Sequence, residues 1–474
     1  QALVPILSLL GLIVYGLILR PQVFGQPAFP LEIVFVLAAT VAVTHLVWLG
    51  HSWTAIQATI VRKLTQALPA FFIFFAIGLV IGSWIISGTI PMLIYYGLQL
   101  IHPSVIYLSA FLVPVVFSVL TGTSWGSAGT VGVVVIGIAG AMGANLGIAA
   151  GAVVGGAYFG DKLSPLSDST NIAALAAEVD VFDHVQSMLW TTVPAAILAS
   201  AAYVVLGFTH GPEAMTGEPA TVGPFLEALA SIFHFNPLLL IPPALILAGS
   251  LTRKPAVPTL VVSALSASVL ALIFQPFSLA DVLQTLHRGF DTDMAVWATG
   301  IPDNVQVLLD RGGLFALIDA IVVAIMVFLF IGALDHVNAV EIVVDKVFRF
   351  ARRRTSVILS TLAASAVTNA TTSNQYATSF IVADAFKAKY DRLGISRKVL
   401  SRSLEDTGTM LESVVPWTPT AVFMVATLGV SFSDYAPWQF LSYANFVIAP
   451  LLAILGIGLF TKERKRAEPT SSST

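Results

Sequence analysis

The sequence contains no cysteine, and charge is scarce, with 23 Lys or Arg and 26 Asp or Glu among 474 residues, or 10%. Without cysteine there are no disulfides, thiolate metal sites or cysteine nucleophiles. Soluble chains are about 25% charged, and so few charges cannot cover a soluble fold of this length. Disorder is excluded as well, since its signature is low hydrophobicity and 57% of this chain is apolar. The scarcity is also uneven, because residues 64–160, 97 in succession, include no Asp, Glu, Lys or Arg. A bilayer crossing needs about 20 apolar residues, so this stretch has room for four crossings or their equivalents. Barrel strands would alternate apolar and polar residues, whereas runs such as 71–80 and 321–330 are continuously apolar. No Walker-type lysine loop supports ATP-driven work. The chain opens at Gln1 without Met or a basic n-region, so no cleavable signal is expected and the start reads as trimmed. The expected fold is an all-α polytopic membrane protein.

Basic clusters at 62–63, 253–254, 346–354, 387–402 and 462–466 belong on the cytoplasmic side, and the acidic loops 209–227 and 276–312 on the other. This predicts a multi-pass protein of a bacterial-type inner (plasma) membrane with both termini cytoplasmic. Segments 3–19 and 30–49 form a leading pair, and 66–86, 188–208, 237–251, 258–275, 314–334 and 437–460 are the expected crossings. Residues 355–386 have basic clusters on both sides and are too short for two crossings at about 20 residues each. They read as a re-entrant hairpin turning near 371–375, and 104–145 as a second hairpin from the opposite side, with its tip at 121–126. Polar backbone at such depth is tolerated where it is buried or lines an aqueous cavity. A shift of 249 residues pairs Thr123 with Thr372, Ser124 with Ser373, Ala128 with Ala377 and Ser164 with Ser413. Together with the opposite sides of approach, this predicts two inverted-topology repeats, each with a re-entrant hairpin and a broken transmembrane helix. The breaks are expected at 160–171 and 405–420, where Pro165, Pro416 and Pro419 interrupt the hydrogen-bond ladder. The domain plan is a leading pair (1–60), a first repeat (61–210), connecting loops and two helices (211–310), a second repeat (311–462) and a basic cytoplasmic tail (463–474).

A carboxylate at membrane depth costs about 2.5–3.5 kcal/mol on insertion scales, so it needs a partner, a proton or a cation. Asp161 and Asp168 are the first acids after the uncharged stretch, and Glu405, Asp406 and Glu412 are their counterparts in the second half. All five are candidates to bind cation or proton. Asp161 has an ion pair with Lys162 as its alternative, and Glu405 and Asp406 a salt bridge at the cytoplasmic edge. Lys162 either neutralises an acid or meets the carboxylate of an organic solute. Thr123, Ser124, Trp125, Ser167, Ser169, Thr170, Asn171, Thr372, Ser373, Asn374, Thr418 and Thr420 are the candidate groups around cation or solute. Hard monovalent cations prefer such oxygen ligands. Gly143, Gly147, Gly151 and Gly155 recur every four residues, a small-residue face for close helix packing. The eight histidines show no metal-ligand spacing.

Several runs resemble the NhaC family of secondary antiporters. They include Ser87-Gly88-Thr89-Ile90-Pro91, Gly122-Thr123-Ser124-Trp125 and Gly156-Ala157-Tyr158-Phe159-Gly160-Asp161-Lys162-Leu163-Ser164-Pro165. The second half adds Leu404-Glu405-Asp406-Thr407-Gly408-Thr409 and Val415-Pro416-Trp417. The resemblance implies an ion-transporter fold with paired hairpins, of which Thr372-Ser373-Asn374 looks like a tip, and Na+/H+ antiport or exchange of malate plus Na+ for lactate plus H+. Gly126, Ser127 and Gly129, Gly155, Ser169 and Ile172 depart from the family's usual residues and bear on the substrate, not the fold.

The first expectation is therefore a Na+/H+ antiporter working by alternating access, with Ser124, Thr170, Asn171, Ser373 and Asn374 completing the site around Asp161 and Asp168. The alternative is a Na+- or H+-coupled exchanger of dicarboxylates, lactate or amino acids, and a channel or membrane scaffold is the reading from another class. No enzymatic activity, no cofactor beyond Na+ and H+ as coupling ions, no metal other than Na+ and no nucleic acid are expected. Partners are membrane lipid and the transported solute, with a homodimer left open.

Overall fold

In a computed structural model the chain is described over residues 3–212 and 222–460, so the expected basic tail and Glu213 and Glu218 of the acidic loop lie outside the described residues. Those described are helical, without a strand. Seven helices are long and apolar enough to cross a membrane, or up to nine if two bent pairs each count as one span. The leading pair forms as Leu3–Ile13, continued by a π-turn, and Leu31–Trp48.

Some expected boundaries move. The crossing expected at 66–86 is the second part of a 34-residue helix, Trp53–Ile86, capped by Ser52 and carrying Pro69 inside it. At 1.5 Å per residue it is about 50 Å long, so the 62–63 basic cluster rides on a helix instead of a loop. The expected loop 276–312 contains Leu279–Arg288, opened by a Ser278/Asp281 capping box, and Asp303–Leu309. The crossing expected at 237–251 follows Val222–Ile232 through a bend of 99°.

Helix boundaries in the two halves recur at one spacing, 251 residues. Pro103–Thr121 and Ser124–Ala141 correspond to Arg354–Thr372 and Gln375–Leu393. Leu146–Leu163 corresponds to the helix starting at Arg397, and Asp168–Ala177 to Pro419–Leu428. The shift of 249 suggested by tip residues is therefore corrected by two. Side-chain identity aligned Thr123 with Thr372, but backbone geometry aligns Thr123 with Asn374. Each of these two caps the following helix by accepting from the backbone N–H three residues on, Gly126 and Ala377. Each is preceded by a left-handed residue, Gly122 (φ 68°) or Ser373 (φ 48°). Glycine adopts that conformation without steric cost, whereas for serine it is strained.

The second break also moves. Glu405–Thr409 is a π-turn within the helix, which continues to Glu412. The chain leaves helical geometry only at 413–418, and Pro419 then starts the next helix, where its missing N–H costs nothing. The first break is confined to 164–167.

The regular glycine face divides into two uses. Gly143 sits in a turn (φ 71°), while Gly147 and Gly151 face the backbone at Asp434 and Trp438. Within the same helix, the close approach to Pro103–Thr121 is made by Gly156 and Gly160 instead. A Cβ on Gly160 would stand 2.5 Å from Ser118 Cβ, whereas one on Gly155 would meet nothing closer than 3.4 Å. Gly160→Ala should therefore destabilise by about 1–3 kcal/mol through overpacking, and Gly155→Ala should stay within about 0.5 kcal/mol. Thermal unfolding of the detergent-solubilised protein checks the difference.

Candidate functional site

Asp161 lies in the last turn of Leu146–Leu163, just before the first break. Ser124, first residue of the helix after the first tip, donates its hydroxyl to Asp161 Oδ2 at 2.7 Å, and Ser167 donates to Oδ1 at 2.5 Å. Ser167 occupies the N-cap position of Asp168–Ala177, yet its hydroxyl is turned to Asp161 instead of the helix end. The neighbouring polar residues brace the break. Ser169 lies 3.0 Å from Ser167, Thr170 donates to the carbonyls of Asp161 and Lys162, and Asn171 donates to those of Pro165 and Ser167.

Glu412 stands 251 residues after Asp161 and holds the matching place before the second break. Asn369, from the helix Arg354–Thr372, donates to Glu412 Oε1 at 3.2 Å, and Thr420 donates to Oε2 at 3.0 Å. Tyr158 donates to Oε2 from the other half at 3.4 Å. Each acid thus takes one partner from the helix pair that precedes it and one from its own break or the helix start just beyond it. Thr418 caps the helix at Ala421 N and donates to the Glu412 carbonyl. At the second tip, Thr372 bonds to the Asn374 carbonyl and Thr378, while the buried Ser373 hydroxyl has no partner.

Glu405 is fully buried, with no hydrogen bond to either carboxyl oxygen. Asp161 lies within electrostatic range of both Glu405 and Glu412. Asp406 points elsewhere, into a buried ion pair with Lys162 at 2.5 Å. Thr191 donates to the same oxygen at 2.8 Å, Arg402 approaches the other at 3.7 Å, and Asn445 lies 3.4 Å from the Lys162 ammonium. Of the two roles open to Lys162, the structure has it neutralising an acid. Asp168 is exposed, at the first position of its helix, where an acid suits the helix dipole. No three His, Cys, Asp or Glu among the described residues form a metal-holding group, so hydroxyl, amide and carbonyl oxygens would complete any cation's shell.

Sequence reasoning missed Tyr158, Asn369, Gln375, Tyr376, Thr191 and Asn445. Gln375 bridges Asn369 and the Leu404 carbonyl, and Tyr376 lies within electrostatic range of Asp161, Asp168 and Glu412. Asn445 carried a signal, as the lone amide in the apolar helix Phe440–Leu455. The spacing of 251 would have found Glu412 as the mate of Asp161.

Helices that cross a membrane, twice broken beside a carboxylate and twice backed by a helix pair, define a membrane carrier. Residues 156–457 match the sequence profile of the Na+/H+ antiporter family, and the chain belongs to that family of secondary antiporters. It is 39% identical over 460 residues to an uncharacterized Na+/H+ antiporter of Haemophilus influenzae, covering 97% of this chain and 96% of that one. A malate-2H+/Na+-lactate antiporter of Bacillus subtilis is 34% identical, with 90% of each chain covered. The Na+/H+ antiporter NhaC of Alkalihalophilus pseudofirmus is 32% identical over 92% of this chain and 91% of its own.

Removing one partner of a buried pair strands the other, at about 3–5 kcal/mol, whereas replacing both with apolar groups is often neutral. Asp406→Asn should therefore lower thermal stability strongly, and the double variant Lys162→Met/Asp406→Leu should recover only part of the loss, because buried Arg402 still lacks its carboxylate. Unfolding in detergent, independent of transport, reads this out.

Proposed function

We propose that the chain exchanges Na+ for H+ by alternating access, with Asp161 and Glu412 as the two exchanging carboxylates and Glu405 as a third acid beside them. The observation that carries this is the position of Asp161 and Glu412, each at a helix break and each bound by the preceding helix pair and by a residue of the break or of the helix start beyond it. Lys162 and Arg402, the buried bases nearby, are directed at Asp406. The remaining carboxyls therefore need protons or metal cations for neutrality, and one group that binds either in turn exchanges them by competition. Asp168, exposed and acidic, would draw cations towards Asp161.

The two helix sets, 53–209 and 303–455, read as inverted repeats, and the pairs around tips 122–123 and 373–374 as re-entrant hairpins. The opposite ends of the molecule support this. A cavity of about 500 Å³ opens among Asn145, Gly147, Ser431, Ser433, Asp434 and Trp438. The places 251 residues away from these are at the other end, and there Arg397 pairs with Glu178 and Lys398 with Asp183. Lys387 and Arg397 hold the Glu178 carboxyl below its usual range, so the pairing persists at neutral pH and is lost as pH falls through that lowered value. The basic end is the cytoplasmic one by the charge rule. The cytoplasmic end is thus tied by ion pairs where the far end carries a cavity, with the described C-terminal end inside.

The organic-solute reading draws on the malate/lactate relative and the hydroxyl-rich tips. It loses its charge anchor, because Lys162 is spent on Asp406.

In proteoliposomes, Na+-driven proton flux should fall to background in Asp161→Asn and in Glu412→Gln, with both proteins still folded. Robust exchange by either variant would remove that residue from the mechanism. Counterflow of labelled malate, lactate or amino acids separates the second reading from the first.

A further inference from the structure

We infer that Trp125, at the tip of the first hairpin, is a positioning residue for the cation carboxylate of the second half, acting through the Thr420 hydroxyl. Thr420 is 2% exposed and carries one hydrogen. Its oxygen lies 3.3 Å from Trp125 Nε1, a group that only donates, and 3.0 Å from Glu412 Oε2. Because the indole N–H occupies a lone pair of that oxygen, the hydroxyl hydrogen is directed at Glu412.

The indole itself belongs to a cluster of three mutually packed rings. It stacks on Phe423 at 4.9 Å with the planes 16° apart, and Phe74 packs on both rings at 5.2–5.3 Å. Phe423 belongs to the same helix as Thr420, so stack and hydrogen bond hold one tip against one helix start. On the other carboxyl oxygen, the Asn369 amide donates from a side chain already tied to Gln375. Of the three donors at Glu412, Thr420 and Asn369 are therefore held in the donating sense, and the Tyr158 hydroxyl adds a longer contact at 3.4 Å. This suits a carboxylate presented to a cation.

Asp161 is held differently, since both its side-chain partners are serine hydroxyls and the N–H at its carboxylate belongs to the backbone of Ser124. The position matching Trp125 in the second half is Tyr376, which has no N–H and is exposed. The two halves share a pair of acids but not the way those acids are held. Trp125 thereby couples the first tip to Na+ binding in the second half, without itself touching the ion.

The inference rests on Glu412 as a cation carboxylate, and Glu412→Gln tests that separately. The test is Na+-dependent proton flux in proteoliposomes, with apparent KM for Na+ and maximal rate measured apart. Thr420→Val should raise KM about tenfold, the scale of a lost hydrogen bond to a charged group, with little change in maximal rate. Thr420→Ser, which keeps the hydroxyl, should remain near the parent. Trp125→Phe should raise KM in the same direction, as should benzothienylalanine at position 125, which keeps the bicyclic shape without the N–H. Trp125→Phe added to Thr420→Val should cost nothing further, because the two act as one unit. The inference is overturned if benzothienylalanine leaves KM unchanged, if the two losses add, or if Trp125 variants lower maximal rate alone. Exchange that persists in Glu412→Gln removes the underlying reading instead.

Discussion

Everything in this molecule is arranged around carboxyl groups that have lost water without gaining enough positive charge. Of the four acids at the crossing of the two broken helices, Asp406 alone has an ammonium in contact. Asp161 and Glu412 are held by neutral donors, and Glu405 by none. In a medium of low dielectric a bare carboxylate is costly and like charges nearby add to the cost. Burial of this kind favours the uptake of cations or protons, which is what the proposed exchange draws on. The broken helices, tips and glycine contacts serve to keep these groups at depth and in register.

The duplication supplies the frame and then departs from itself. Asp161 and Glu412 are mates, but the positions matching Glu405 and Thr409 are Val154 and Tyr158. All of the first half's tip and break hydroxyls are engaged. The second half leaves buried oxygens of Asn369, Ser373, Glu405 and Thr409 without partners. Buried polar atoms in folded proteins are ordinarily satisfied, so this half is the one prepared to receive something. One acid pair shared by two halves and one extra acid in a single half describe a carrier with a symmetric framework and an asymmetric load.

The class of the protein was legible in the shortage of charge, and the two helix pairs and two breaks in where charge and proline returned. Asp161, Ser124 and Ser167 could be nominated because they follow the uncharged stretch or flank a proline. What stayed hidden was set by geometry that side-chain identity does not report. Thr-Ser at both tips favoured a register two residues out, because φ above zero marks Gly122 and Ser373 as mates and their side chains do not. The Glu405–Thr409 segment looked like an interruption, since nothing in its composition says that a π-turn keeps it helical. Asp168 looked central among its polar neighbours, but the Thr170 hydroxyl and the Asn171 amide are spent on the backbone of the break. Lys162 was recognised as unusual, and its partner 244 residues away lay beyond any local pattern.

The constant spacing of 251 residues has a mechanical meaning. From the tip at Gly122 to Asp161, and from Ser373 to Glu412, the chain is the same number of residues long, through a helix, a short turn and most of a second helix. A residue added or removed within either helix would turn everything after it by about 100° and shift it by 1.5 Å, swinging the acid off its partners. Chain length between tip and acid therefore works as a gauge, cut twice to the same dimension. Side chains along it can vary, whereas its length cannot.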